Sequence, residues 1–283
     1  MSPQLNPLQK DLQGLKRRKP LLAERPSLIL ALASYIQRTD QRLHSYSTAI
    51  SVRMSTPFNP ITANWTALRV LAPDRFDAYT RPGDADELTA ICRYVWNMAI
   101  SGELYPILHA VEITFRNQLH NALTALHGPT WFDTANFLTL DEIRKVSSAK
   151  NELTKRRRAH DPGRVVAELS FGFWTELYRR SHEFDVVRPT IQTVFPHYQG
   201  AGTLSRSKVA TPLRDIRLLR NRISHHEHIV FDINLPTLHT EALDLIRWMN
   251  PQMADVASIG DNFPALYGKT WKPYRSIVEA LFG

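Results

Sequence analysis

The segment LRDIRLLRNRISHHEHIV, residues Leu213–Val230, combines a helical apolar pattern with a cluster of arginines and histidines. Its apolar residues recur at intervals of three, three and four, which predicts a helix that buries one stripe. These residues are Leu213, Ile216, Leu219 and Ile223. A set of polar residues follows one flank of that stripe. This set comprises Arg217, Arg220, Asn221 and Ser224. The segment therefore predicts a core helix that carries a polar site beside its buried face.

The separation of Arg220 and His225 sets a condition on that site. On a straight helix their side chains point roughly 140° apart, so they do not contact one another. They can act on one substrate only if the helix distorts or ends near Ser224, or if a second copy of the chain faces the first. The residues alone leave both arrangements open.

The residue types in this cluster suit cleavage of RNA. The imidazole of His225 titrates near neutral pH, so it can take a proton from a ribose 2′-hydroxyl or give one to a leaving oxygen. The guanidinium of Arg220 is permanently charged and can stabilise the charge of a phosphoryl transition state. Asn221 can orient either group or the substrate. This chemistry needs no metal, so we expect a site without a metal ion or another cofactor.

Three blocks of the sequence resemble a known family. Residues 220–225, Arg-Asn-Arg-Ile-Ser-His, resemble the Arg-x4-6-His motif of HEPN-domain ribonucleases. The longer string LLRNRISHHEHI, residues 218–229, resembles the signature of the Abi-like (abortive infection) branch of that superfamily. Residues 94–123 and 165–178 look like the same family, and together the resemblance covers roughly residues 65–248. Three blocks in one order are more specific than the Arg-x4-His spacing, which any basic helix can show.

The resemblance implies a HEPN-like helical bundle and a metal-independent endoribonuclease that leaves a cyclic phosphate. It also implies a homodimer whose motifs face each other, and a toxin that defends against phage by abortive infection. RNA is the expected substrate, and an antitoxin or a phage-derived trigger is the expected further partner. The predicted catalytic residues are Arg220, His225 and Asn221. The predicted supporting or substrate-binding residues are Glu112, Arg116, Arg217, Ser224, His226 and Glu227. The alternative is a non-catalytic HEPN-like module that binds RNA or dimerises, in which the cluster only caps and pins helices.

A second regular pattern lies in residues 104–126, where near-heptad apolar spacing predicts a core helix of a bundle. Beside the apolar stripe, Glu112, Arg116 and His120 recur every four residues. Glu112 and Arg116 either form a salt bridge at the rim or border a cleft and hold Arg220 or RNA. The resemblance favours the second interpretation, because an acid–arginine pair recurs on this helix in Abi-like proteins.

The remaining pattern predicts helices separated by turns that contain proline and glycine. We expect a helix from Asp84 or Asp86 to about Ser101, one from Asp141 to about His160, one over residues 165–180, and one from Pro236 to about Met249. No segment shows convincing strand alternation, so the predicted fold class is all-α. We expect an N-terminal arm over residues 1–60, partly flexible with one helix, and a helical domain over residues 61–283.

The composition limits the classes of partner and the cellular location that we expect. Of 283 residues, 43% are hydrophobic and 22% are charged, which permits an ordinary globular core. The net charge of +8 and the isoelectric point near 9.7 favour a polyanionic partner, either nucleic acid or an anionic membrane surface. The single cysteine, Cys92, excludes a disulfide framework within one chain and fits a cytoplasmic protein. No apolar stretch approaches the ~20 residues of a membrane span, so no membrane partner is expected.

Two other chemistries are weaker hypotheses. The run His225–His228 contains three histidines and a glutamate, but consecutive residues of a helix point apart and cannot converge on one metal ion. A zinc site would need further ligands, for which Glu112 or His120 are candidates. Ser224 beside His225 suggests a hydrolase, but no Gly-x-Ser-x-Gly elbow and no strand precedes it. RNA cleavage remains the leading hypothesis.

Overall fold

A computed structural model describes residues 60–71, 73–84, 86–134 and 136–282. The predicted N-terminal arm, with a helix expected from Leu28 to about Ile50, lies outside the described residues. Within them the chain forms α-helices, with one 3-10 turn and one π-helical turn and without a strand. The predicted all-α class is confirmed.

Thirteen α-helices follow one another in the described part of the chain. They are α1 Pro60–Leu71, α2 Pro73–Asp77, α3 Glu87–His127, α4 Trp131–Thr134, α5 Leu140–Lys155, α6 Pro162–Glu168, α7 Phe171–Glu176, α8 Arg188–Val194, α9 Arg206–Ser224, α10 Leu235–Met249, α11 Pro251–Ser258, α12 Phe263–Lys269 and α13 Tyr274–Phe282. The 3-10 turn, Arg180–His182, and the π-helical turn, Glu183–Val187, lead into α8.

The 41-residue helix α3 is the axis on which most of the others pack. The carboxylate of Asp86 caps its first turn by accepting the Thr89 N–H at 3.0 Å. Gly128 ends it at a φ of +88°, a conformation that favours glycine. Helices α2, α4 and α7 to α13 all contact α3. The regular stripe that predicted a core helix is buried from Leu104 to Ala122, and that prediction is confirmed.

The expected end of a helix near Ser101 is wrong, because α3 continues through Gly102 and Pro106. Proline cannot donate a hydrogen bond to the carbonyl four residues earlier, which here belongs to Gly102. Both residues are exposed, so water can satisfy that carbonyl. Ile100 and Leu104 before the proline and Ile107 after it are buried, and their packing outweighs the local preference to break.

Two other predicted helices end earlier than expected. Helix α5 stops at Lys155 and not near His160, because Arg157 takes a positive φ of 54° and the Arg158 N–H bonds to the Leu153 carbonyl at 2.8 Å. The single helix expected over residues 165–180 is two helices, α6 and α7. Ser170 separates them, and its hydroxyl caps α7 by accepting the Phe173 N–H.

Helix α9 carries the motif and packs against α3, α7 and α10. Leu213, Ile216 and Leu219 are buried and Ile223 is half-buried, as the apolar stripe predicted. Helix α10 also agrees with its prediction and ends at Met249. Because the buried stripe of α9 faces its neighbours, Arg220 of the polar flank comes to lie beside α3.

Candidate functional site

Helix α9 ends at Ser224, and the chain leaves it through a Schellman motif. The His226 N–H bonds to the Ile223 carbonyl at 3.0 Å, and the Glu227 N–H bonds to the Arg222 carbonyl at 2.9 Å. Between them, His226 adopts a left-handed φ of 57°. Glycine usually occupies that position, and a side chain there costs about 1–2 kcal/mol. The turn after the motif is therefore held against local strain.

This turn does not bring His225 to Arg220 within one chain. His225 keeps φ −91° and ψ 8°, and its N–H still bonds to the Asn221 carbonyl at 2.9 Å. Its side chain therefore points from α9 nearly as it would if the helix continued, at roughly 140° around the helix axis from the side chain of Arg220. The change of direction comes one residue later, at His226. Ser224, His225, His226 and Glu227 are all exposed.

Arg220 instead lies in a cleft between α9 and α3. Its Nε is 3.3 Å from Oε2 of Glu112, and both side chains are partly accessible to solvent. The cleft has a volume of about 150 Å³. Its lining residues are Tyr105, Leu108, His109, Glu112, Ile113, Arg116 and Arg220. Three of the predicted site residues, Glu112, Arg116 and Arg220, thus share one cleft.

The cleft carries more positive than negative charge. Glu112 is ion-paired with Arg220, and no ion pair joins it to Arg116 among the described residues. Arg116 donates from Nε to the amide oxygen of Asn117 at 3.2 Å, and its terminal amino groups have no carboxylate partner in the described part of the chain. Two guanidinium groups therefore face one carboxylate. Such a cleft suits an anion with several oxygen acceptors, such as phosphate.

His120 lies one helical turn beyond Arg116 on α3. Its Nδ1 accepts a hydrogen bond from the indole N–H of Trp131 at 3.1 Å, so the neutral ring carries its proton on Nε2. Burial and the neighbouring charge of Arg116 lower the pKa of His120. His120 is therefore neutral at pH 7 and adds no charge to this face of α3.

Asn97, which was not among the predicted site residues, anchors the segment that follows the motif. The side chain of Asn97 is buried. Its Nδ2 donates to the Glu227 carbonyl at 3.3 Å, and its Oδ1 accepts the N–H groups of Ile229 and Val230 at 2.8 and 3.3 Å. The available signal was a lone amide in the otherwise apolar residues 95–100, because an amide on the buried face of a helix needs hydrogen-bond partners.

Two arginines also hold this segment by hydrogen bonds to its backbone. Arg222 donates from Nη2 to the His228 carbonyl and from Nη1 to Asp232, each at 2.8 Å. Arg75 of α2 donates to the His226 carbonyl at 3.4 Å. Three consecutive carbonyls are thus held by side chains from α2, α3 and α9. The segment presents the His225 ring to solvent from a well-anchored backbone.

Arg217 lies away from the cleft, at the contact of α9 with α7. A side chain at Gly172 would begin 3.8 Å from its Nη1, so Arg217 rests over that glycine. The Nε of Arg217 is buried and has no hydrogen-bond partner among the described residues. Asn221 is half-buried on α9, and its carbonyl accepts the His225 N–H. Of the predicted supporting residues, only Glu112 and Arg116 line the cleft with Arg220.

A family model described as Abi-like protein matches residues 61–230, which is more than half of the chain. The chain belongs to the Abi-like family. No curated protein and no solved structure matches it. The matched region of this Abi-like protein contains the cleft, the Arg220–His225 motif and the Asn97 anchor, and it ends at Val230, whose N–H that anchor binds. Helices α10 to α13 follow the matched region and complete the packing around α3.

Over the residues that the structure describes, no group of three or more histidine, cysteine, aspartate or glutamate side chains is arranged to hold a metal ion. None of the described helices is both long enough and apolar enough to cross a membrane.

Proposed function

We propose that this Abi-like protein is a metal-independent endoribonuclease of the HEPN superfamily that acts as an abortive-infection toxin in phage defence. The observation that carries the proposal is the cationic cleft in which Arg220 of the Arg-x4-His motif lies with Arg116 and Glu112. Two guanidinium groups can hold a phosphodiester by its non-bridging oxygens. The high net charge of the chain supports the same class of ligand.

The reaction follows from the chemistry of these residues. The ribose 2′-oxygen forms a bond to the adjacent phosphorus while the bond from phosphorus to the 5′-oxygen breaks. His225 takes the proton of the 2′-hydroxyl while water protonates the departing 5′-oxygen, or in the acid role His225 protonates the 5′-oxygen while water takes the 2′-hydroxyl proton. Arg220 stabilises the extra negative charge on the phosphoryl oxygens. The products are a 2′,3′-cyclic phosphate and a 5′-hydroxyl, and Asn221 orients the reacting groups.

The position of His225 makes a second copy of the chain part of this proposal. Around α9, Ser224 and Asn221 lie between the directions of Arg220 and His225. A two-fold axis beside Ser224 and Asn221 would place His225 of one copy next to Arg220 of the other copy. Because a two-fold interface contains every contact twice, the same pair would form again with the roles of the two copies exchanged. The proposed enzyme is therefore a homodimer with two composite sites.

A second candidate function is a non-catalytic HEPN-like module that binds RNA or dimerises. One observation favours it specifically: within one chain His225 lies outside the cleft, and Glu112 already neutralises Arg220. In this case Arg220 and Glu112 mainly join α9 to α3. The module would bind RNA without cutting it.

Cleavage of labelled total RNA and of tRNA, with EDTA present, distinguishes the two functions. We expect the native protein to cut, and Arg220→Ala and His225→Ala each to lower the rate by about 10²- to 10³-fold. Arg214→Ala is the matched control, since Arg214 is an exposed arginine of α9 that lies outside the cleft. It should cut at the native rate.

The controls decide what a loss of cleavage means. Circular dichroism and sedimentation must show that each variant keeps its fold and its oligomeric state. Cleavage that survives in both Arg220→Ala and His225→Ala would contradict the assigned site. Absence of cleavage by the native protein, at concentrations at which it binds RNA, would favour the non-catalytic module.

A further inference from the structure

The outer end of the cleft carries two aromatic rings for which the proposed reaction has no role. Tyr105 and His109 lie one turn apart on α3, and both line the cleft. Their rings are nearly parallel, with an interplanar angle of 9° and centroids 6.2 Å apart. Tyr105 is 61% exposed, although most large aromatic residues of the described chain pack into the core. The exposed Tyr105 ring therefore extends this stacked pair with an accessible face on which another ring can stack.

The other end of the cleft has the opposite character. Glu112, Arg116 and Arg220 supply charge there, while Leu108 and Ile113 line the cleft with apolar groups. His109 and Glu112 are three residues apart, so only about 5 Å of helix separates the aromatic end from the charged end. A ligand that fits both ends has a flat ring close to an anionic group. A nucleotide unit of a nucleic acid has this form.

We propose that Tyr105 and His109 stack against an unpaired nucleobase of single-stranded RNA, next to the phosphate held by Arg116 and Arg220. The inference rests on the proposed function, which makes RNA the substrate, and it adds a selection that the motif does not supply. In a duplex each base is paired and covered on both faces, so its face is closed to the two rings. Every base has such a face, so the contact discriminates strandedness and not sequence.

The test measures binding apart from cleavage, by fluorescence anisotropy of the full-length protein. The probe is a labelled single-stranded RNA whose 2′-hydroxyls are all methylated, which removes the attacking group. A strand of the same length without bases and a duplex of the same sequence are the comparison probes. We expect the native protein to bind the base-containing single strand more tightly than either comparison probe.

The variants separate ring stacking from other effects. Tyr105→Ala should weaken binding of the base-containing strand about 5- to 100-fold and leave the baseless strand unchanged. Tyr105→Phe keeps the ring and should bind like the native protein. Phe184→Ala is the matched control, because Phe184 is 71% exposed but does not line the cleft. Tyr105 is itself exposed, so its removal should leave the thermal unfolding temperature close to the native value.

The failures of this inference and of the proposed function differ. Equal loss of binding to the strands with and without bases in Tyr105→Ala, or no loss on either, overturns the stacking role. Equally tight native binding of the duplex overturns it as well. In each case, cleavage that depends on Arg220 leaves the proposed function standing. If the native protein binds none of the probes and cuts no RNA, both proposals fall.

Discussion

Replacing Asn97 by alanine tests whether this buried side chain holds the segment after the motif. The substitution removes one amide that bonds to three backbone groups: the Glu227 carbonyl and the N–H groups of Ile229 and Val230. Asn97 and Glu227 are 130 residues apart in the chain, so local helix structure cannot replace the contact.

The magnitude follows from the burial of those three groups. Ile229 and Val230 are buried, so their N–H groups lose a partner where water has poor access. Glu227 is exposed, and its carbonyl can turn to solvent at little cost. Each buried group left without a partner costs about 1–3 kcal/mol, and the longer bond at Val230 counts for less. We expect Asn97→Ala to lose about 2–4 kcal/mol, which a domain of ordinary stability survives.

Urea unfolding followed by circular dichroism measures the loss, and hydrogen exchange locates it. The amides of Ile229 and Val230 should exchange faster in Asn97→Ala, while amides in the middle of α5 keep their rates. Asn151→Ala is the matched control, because Asn151 is exposed on α5. Its free energy of unfolding should stay within about 0.5 kcal/mol of the native value.

Two results would refute this reasoning. A loss in Asn97→Ala no larger than that in Asn151→Ala would show that the three hydrogen bonds add nothing to stability. Unchanged exchange at Ile229 and Val230 would show that Asn97 does not hold the segment, whatever the effect on overall stability.

Two further predictions concern titrating groups. Burial raises the pKa of Cys92 to about 11, so the native thiol should not react with an aromatic disulfide reagent at mildly alkaline pH and should react fully in denaturant. Rapid reaction of the folded protein would contradict this. Burial acts to raise the pKa of Glu142, but the hydrogen bonds from His182 and from the Thr139 N–H have the larger combined effect. The pKa of Glu142 therefore lies below its usual range. The charged Glu142 carboxylate stabilises the folded state fully above the ordinary carboxyl pKa of about 4.3, and this contribution is lost as the pH falls through the lower pKa of the folded protein. Glu142→Gln removes the titrating group, so it should flatten the acid side of the curve of unfolding free energy against pH. An unchanged acid slope in Glu142→Gln would oppose this.

Much of the fold was predictable because its signals are local. The stripe from Leu213 to Ile223 and the heptad pattern of residues 104–126 repeat over three or more turns, and both regions are helices. The helix end near Ser101 was predicted wrongly, since the packing of residues on either side decides whether a helix continues past Gly102 and Pro106. Local preference carries no information on that packing.

The site was predictable in part for the same reason. Helical angles predict that the side chain of Arg220 points to one flank of the buried stripe of α9, and its contact with Glu112 of α3 agrees with that direction. The Asn97 anchor joins residues 130 positions apart in the chain. The ring pair of Tyr105 and His109 is part of a cleft only because Arg220 of α9 lines the same cleft. Such long-range contacts have no periodicity that a single sequence displays.

The central claim is that Arg220 of one copy and His225 of another act in one composite site. Mixing Arg220→Ala protein with His225→Ala protein tests this directly, because each mixed dimer has one site with both residues intact. We predict that each variant alone cuts about 10²- to 10³-fold more slowly than the native protein, and that the equimolar mixture, after exchange of subunits, recovers about a quarter of the native rate of RNA cleavage. A mixture that remains inactive, although sedimentation or mass spectrometry detects mixed dimers, would contradict the composite site.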